Sequence, residues 1–219
     1  LEITTQRARS DEEKTARADA ILRAARELCG AEPFARVNVA DIARAAGVAK
    51  GTVFLYFPTK EAIGLALVER LLGEWMDDLD AALDALAPPA SPRDVADAVV
   101  RTVAEHPLLV QLLSILGSIL EHNVTVDAAR GFKRALLLRV RPTGARLERV
   151  LPFLGEGGGF PFLMTLNALV IGLHQMAGTA PAVRQVLSEP ELAPFRVDFA
   201  AALRRAVEVQ LEGVRRLGP

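Results

Sequence analysis

Residues 38–60, NVADIARAAGVAKGTVFLYFPTK, constrain the fold more tightly than any other part of the chain. They read as two short helices joined by a glycine turn, with a proline and a new helix start directly behind. Asn38 can cap the first helix by accepting a bond from a free backbone N–H. Val39, Ile42 and Ala43 fall at helical spacing and make an apolar face. Ala46 is small where two helices must approach, and Val48 plugs the angle between them. Gly47 can take the left-handed conformation that ends a helix. Val53 and Phe57, four apart, give the second helix its buried side. Pro58 stops it, because proline has no N–H and clashes inside a helix. This is the layout of a helix-turn-helix, a unit that sets one helix into the major groove of DNA.

The wider composition predicts an all-α protein of about nine helices. Half of the 219 residues are hydrophobic and only 5% are aromatic. Alanine, leucine, arginine and glutamate favour helix, and runs alternating with period two are scarce. Residues 1–12 read as a flexible polar segment carrying Arg7 and Arg9, either a disordered terminus or a basic arm laid along the DNA backbone or minor groove. A first helix follows at 13–31, with Phe34 packed beneath the helix-turn-helix. Thr59 starts a fourth helix, whose apolar stripe Ile63, Leu67, Leu71, Trp75, Leu79, Leu83 spans roughly 35 Å at 1.5 Å per residue. After the break at 87–92, helices are expected at about 92–105, 107–121, 125–151, 160–178 and 195–216. Pro142 should kink or split the third of these. The GEGGG stretch at 155–159 reads as a flexible loop.

Charge adds little. Residues 1–60 hold 10 Lys and Arg against 8 Asp and Glu, and the remainder 16 against 19, so the net charge is −1. One cysteine, Cys29, excludes an internal disulfide and reads as a buried thiol. No secretory leader is visible, and residues 160–178 contain Asn167, His174 and Gln175, which favours a buried helix over a membrane span. A cytoplasmic protein is expected. Three scattered histidines, no paired cysteines and no phosphate loop give no support to catalysis, to a metal or to a cofactor.

The motif resembles the DNA-binding domain of the TetR family of bacterial regulators, whose pattern is approximately T-V-x-D-I-A-x-x-A-G-V-S-x-G-T-L-Y-x-Y-F-x-x-K-E. Here it stands as Asn38, Val39, Asp41-Ile42-Ala43, Ala46-Gly47-Val48, Gly51-Thr52-Val53-Phe54, Tyr56-Phe57 and Lys60-Glu61. The match is dense and ungapped over about a quarter of the chain. Ala49 stands where the family commonly has a serine, which removes a cap, and Phe54 where it has a tyrosine, which removes a hydroxyl.

The resemblance implies a helix-turn-helix domain at 1–60 and an effector-binding and dimerisation domain at 61–219. It implies double-stranded operator DNA as a partner, a homodimer through about 160–178 and 195–216, and a small hydrophobic or amphipathic effector that releases a repressor. Candidate DNA-contacting residues are Asn38, Lys50, Gly51, Thr52, Phe54, Leu55, Tyr56, Thr59 and Lys60. Lys50 and Thr52 face base edges, Phe54 and Leu55 suit thymine methyls, and Tyr56 and Lys60 suit phosphates. The alternative is that Leu55 simply sits on the surface or packs on the first helix. Candidate effector-lining residues are Trp75, His106, Gln111, His122, Phe132, Met164, Asn167 and His174, polar or bulky groups on otherwise apolar faces. Each could equally be a satisfied core or interface residue. A rival reading keeps the DNA-binding motif and has no ligand control.

Overall fold

The computed structural model describes residues 2–122, 124–178 and 180–218, with side chains from Glu12 onward. Among these the chain is helical throughout, with no β-strand. All nine expected helices are present: α1 Glu2–Ala31, α2 Val39–Ala45, α3 Lys50–Tyr56, α4 Lys60–Asp84, α5 Pro92–Ala104, α6 Pro107–Leu113, α7 Val126–Val150, α8 Gly159–Ala177 and, after a six-residue helix α9 at Pro181–Val186, α10 Phe199–Leu217.

Several boundaries depart from expectation. The segment expected to be flexible continues α1 back to Glu2; the side chains of Arg7 and Arg9 lie outside the described residues. The helix expected over 107–121 stops at Leu113, where Ser114 Oγ donates to the Val110 carbonyl at 2.8 Å, and a π-helical turn at Leu116–Leu120 follows. Hydroxyl bonding back to the fourth preceding carbonyl favours such breaks. Pro142 lies inside an unbroken α7, on its exposed side, where solvent can satisfy the carbonyl that loses its partner.

The glycine stretch 155–159 also differs from the flexible loop expected. It forms a defined corner between α7 and α8. A Cβ on Gly158 would stand 2.1 Å from the Leu154 carbonyl oxygen, and one on Gly159 would stand 2.2 Å from that of Gly144. Backbones approach there at a distance only glycine permits. The Gly159 N–H donates to Glu148 Oε1 at 3.0 Å, so an α7 carboxylate serves the start of α8.

By contact the chain divides into two units, residues 1–70 with 115–132, and residues 71–114 with 133–219. In the first, α1, α2 and α3 pack around Ile21, Phe34, Ile42 and Val53, all essentially excluded from water. Leu120 of the π-turn fills the space above Gly64, against Phe34, which is why position 64 carries no side chain.

In the second unit α5 packs against α10, whose buried stripe is Leu203, Val207 and Leu211. The start of α5 is set locally: Ser91 and Asp94 cap each other's backbone N–H groups and Pro92 opens the first turn. Those bonds from Ser91 hold the Asp94 carboxyl below the usual range. Helix α7 is strapped to the second half of α4 by arginines. Arg139 donates to the Gly73 carbonyl at 2.8 Å and pairs with Asp77, Arg146 bridges Asp80 and Asp84 at 3.3 Å each, and Arg149 pairs with Asp84.

Candidate functional site

The helix-turn-helix is built as its residues dictate. Asn38 Oδ1 accepts the Asp41 N–H at 3.0 Å, capping α2. Gly47 takes φ 67°, and the Val48 N–H returns to the Ala43 carbonyl at 2.9 Å, closing the end of that helix. Ala49 precedes α3 without a side-chain cap. Helix α3 ends at Tyr56 because Phe57, ahead of Pro58, is pushed into extended backbone.

On α3, Lys50 and Gly51 are exposed, with open space around the Gly51 Cα into which another backbone could come. Thr52 and Tyr56 are half-buried, and Val53 is fully buried. Phe54 is 41% exposed and Leu55 84% exposed, so Leu55 is not packed on α1.

Three other sequence-selected residues are engaged within the fold. Asn38 is spent on its cap. Thr59 Oγ1 accepts the Ala62 N–H at 3.1 Å and caps α4. Lys60, expected as a phosphate contact, is held by its own chain. Its ammonium donates to the carbonyls of Phe34 at 2.7 Å, Ala35 at 3.2 Å and Val37 at 2.7 Å, and lies 4.6 Å from the centre of the Phe34 ring. An ammonium has three donors, and all three are used. Lys60 fixes the loop that leads into α2. A cation not singled out in the sequence is Lys14, which shares a surface groove with Thr15, Ala18, Leu55 and Tyr56. Nothing in the local pattern of α1 marks it; only the packing of α1 beside α3 does.

The second unit holds a small apolar cavity lined by Trp75, Val103, His106, Leu109, Asn167 and Val170 among others. It brings together three of the eight expected effector residues: Trp75, His106 and Asn167. The other five are elsewhere. Gln111 is half-buried outside the lining, His122 is exposed, Phe132 is buried in the first unit, and Met164 is 50% exposed on α8. His174 sets its ring edge-on to Phe199 at 6.1 Å, and burial lowers its pKa, so it favours the neutral form. The cavity encloses only about 10 Å³, room for a single water.

Comparison with known proteins places this architecture. Residues 21–67 match the bacterial regulatory proteins of the tetR family, and residues 69–216 match the tetracyclin repressor-like C-terminal domain. The chain belongs to the TetR family of bacterial transcriptional regulators. It is therefore a DNA-binding regulator whose helix-turn-helix is α2 and α3. EthR of Mycolicibacterium smegmatis is 36% identical over 74 residues, 34% of this chain and 33% of EthR. BetI of Rhizobium meliloti is 35% identical over 85 residues, 39% of this chain and 40% of BetI. The chain thus spans well under half the length of these curated relatives. A transcriptional regulator from Rhodococcus sp. RHA1 superposes with a TM-score of 0.60 at 17% identity, over 92% of this chain and 99% of that one. At that identity the likeness is one of fold.

In this TetR-family chain Cys29 has no place in the DNA-reading surface. It is 2% exposed, and burial pushes its thiol up to about 11, against the lowering effect of the Lys60 charge. The thiolate is the reactive form. A maleimide or disulfide reagent at pH 8 is expected to leave the native protein unlabelled, and to modify one thiol per chain once the protein is denatured.

Proposed function

We propose that this protein is a ligand-responsive repressor that binds a palindromic operator as a homodimer in the cytoplasm. The observation that carries the reading is α8. It is long and apolar enough by composition to cross a membrane, yet only 22% of its most apolar window is buried within its own chain. The expectation of a buried helix fails for the single chain. Phe160, Met164, Ala168 and Met176 stand exposed, Gly172 has open space above it, and Val209 is exposed on neighbouring α10. Such a face in a soluble regulator fits a copy of itself, with α8 and α10 of each chain forming a four-helix bundle.

A dimer supplies what one head lacks. The contacts proposed for each α3 are Lys50 and Thr52 to bases, the exposed backbone at Gly51, Phe54 and Leu55 to thymine methyls, and Tyr56 with Lys14 to phosphates. Hydrogen-bonding side chains are few, so apolar contacts and DNA shape carry much of the specificity. Two such heads on two half-sites give useful affinity. Release requires an effector that binds the DNA-incompetent spacing more tightly. Helix α4 offers the coupling: Trp75 borders the cavity, and Lys60, at the start of the same helix, holds the loop into α2.

The small cavity favours a second reading, a DNA-binding regulator without ligand control. Sedimentation tests the assembly first. The parent chain should be a dimer at micromolar concentration, and Met164→Glu, which places a charge on the exposed face of α8, should be a folded monomer that no longer binds operator. A parent monomer, or a variant that still dimerises, would remove α8 from the interface.

A further inference from the structure

We infer that the cavity beside Trp75 takes a neutral, ring-sized apolar molecule and excludes charged ones; this rests on the ligand-controlled reading above. The polar groups bordering the cavity decide the class. The Trp75 indole N–H is already donated to Thr102 Oγ1 at 3.2 Å, and that hydroxyl donates on to the Ala98 and Val99 carbonyls. The His106 imidazole meets Asp78 Oδ2 through Nε2 at 2.7 Å, with the histidine side chain only 10% exposed. That ring nitrogen is thereby occupied, and the Asp78 carboxylate is half-exposed and is not among the groups lining the cavity. The rest of the lining is Val103, Leu109, Val170 and their apolar neighbours.

That leaves the second ring nitrogen of His106 and the Asn167 amide, which is half-buried and without a hydrogen bond among the described residues. An amide both donates and accepts, so it can take one neutral hydroxyl or carbonyl. A charged head would enter an apolar site with nothing to replace its water. The occupant must also widen the site, since a dry apolar cavity that admits benzene is on the order of 150 Å³. The wall that can yield is α6. It is seven residues long, begins at His106 without a side-chain cap, and contributes Leu109, Val110 and Leu113 to the lining.

Trp75 is the only tryptophan in the chain, so its fluorescence reports the site directly. The whole protein, bound to a labelled operator duplex, is titrated with four molecules of one shape: toluene, benzyl alcohol, benzoate and benzylamine. The two neutral molecules should shift Trp75 emission saturably, and the two charged ones should bind at least about 100-fold more weakly. Asn167→Leu should remove any advantage of benzyl alcohol over toluene and leave toluene unchanged. Val170→Phe, which fills the site, should abolish the shift.

A charged molecule binding as tightly as the neutral pair overturns the inference. So does the lack of a saturable response to toluene or benzyl alcohol up to their solubility, or a response that survives Val170→Phe. The duplex signal in the same samples separates the two readings. A Trp75 response with unchanged duplex affinity keeps the cavity assignment and removes ligand control from the proposed function.

Discussion

Replacing Gly159 with alanine is expected to destabilise the protein by about 3 kcal/mol, the upper part of the range for forcing an atom into a packed interior. The new Cβ would meet the Gly144 carbonyl oxygen at 2.2 Å, its carbon at 2.6 Å and its Cα at 2.7 Å. These are backbone atoms in the middle of α7, so no side chain can rotate away. Either α7 and α8 part or the corner at 155–159 rebuilds, and both moves disturb the α8 face assigned to dimerisation. Gly131, also in α7, is the control. It is exposed with nothing within 4 Å of its Cβ position, so Gly131→Ala should stabilise by about 0.5–1 kcal/mol through the unfolded chain alone. Urea unfolding at one fixed protein concentration measures both. Equal effects from the two substitutions would show that the Gly144–Gly159 contact is not as close as described.

The second large effect separates two lysines. Lys60→Met keeps the aliphatic stem and removes three charge-assisted bonds and the cation over Phe34. It should cost about 2 kcal/mol, within the range for bonds to charged groups. Operator affinity should fall because the loop into α2 loosens, while the slope of log affinity against log salt stays as in the parent. Lys14→Ala should do the reverse. Stability should change little, affinity should drop on every sequence alike, and the salt slope should fall by about one, as for one lost phosphate contact. A Lys60 variant of normal stability with a reduced salt slope would return that residue to the phosphate backbone.

The contrast between these lysines also shows what the sequence can and cannot reveal. Asn38, Gly47 and Pro58 were legible because each acts on backbone within a few residues of itself. Lys60 was not. Its partners are carbonyls of residues 34, 35 and 37, and no local pattern says that a lysine opening a helix will turn back to them. The glycines at 155–159 carry the same lesson in reverse. A glycine run reads as freedom, but here it reflects backbone approach that only the packed structure reveals. Periodicity identified the apolar faces bearing Trp75, His106 and Asn167, and equally those bearing His122, Met164 and His174. Which faces meet around one cavity depends on helix packing, and His174 meets Phe199 instead. The extent to which α8 lies uncovered was likewise hidden, because composition alone does not distinguish a helix buried by its own chain from one awaiting a second copy.

The central claim is that α3 of each chain reads one half of a symmetric site. Selection of duplexes from a random library by the whole protein, followed by titration of the recovered sequence against salt, tests it most directly. The account predicts a two-fold-symmetric site with half-sites about one helical turn apart and a steep loss of affinity with salt. Protein shown to be folded and dimeric that enriches no sequence, or enriches a site without symmetry, would contradict it.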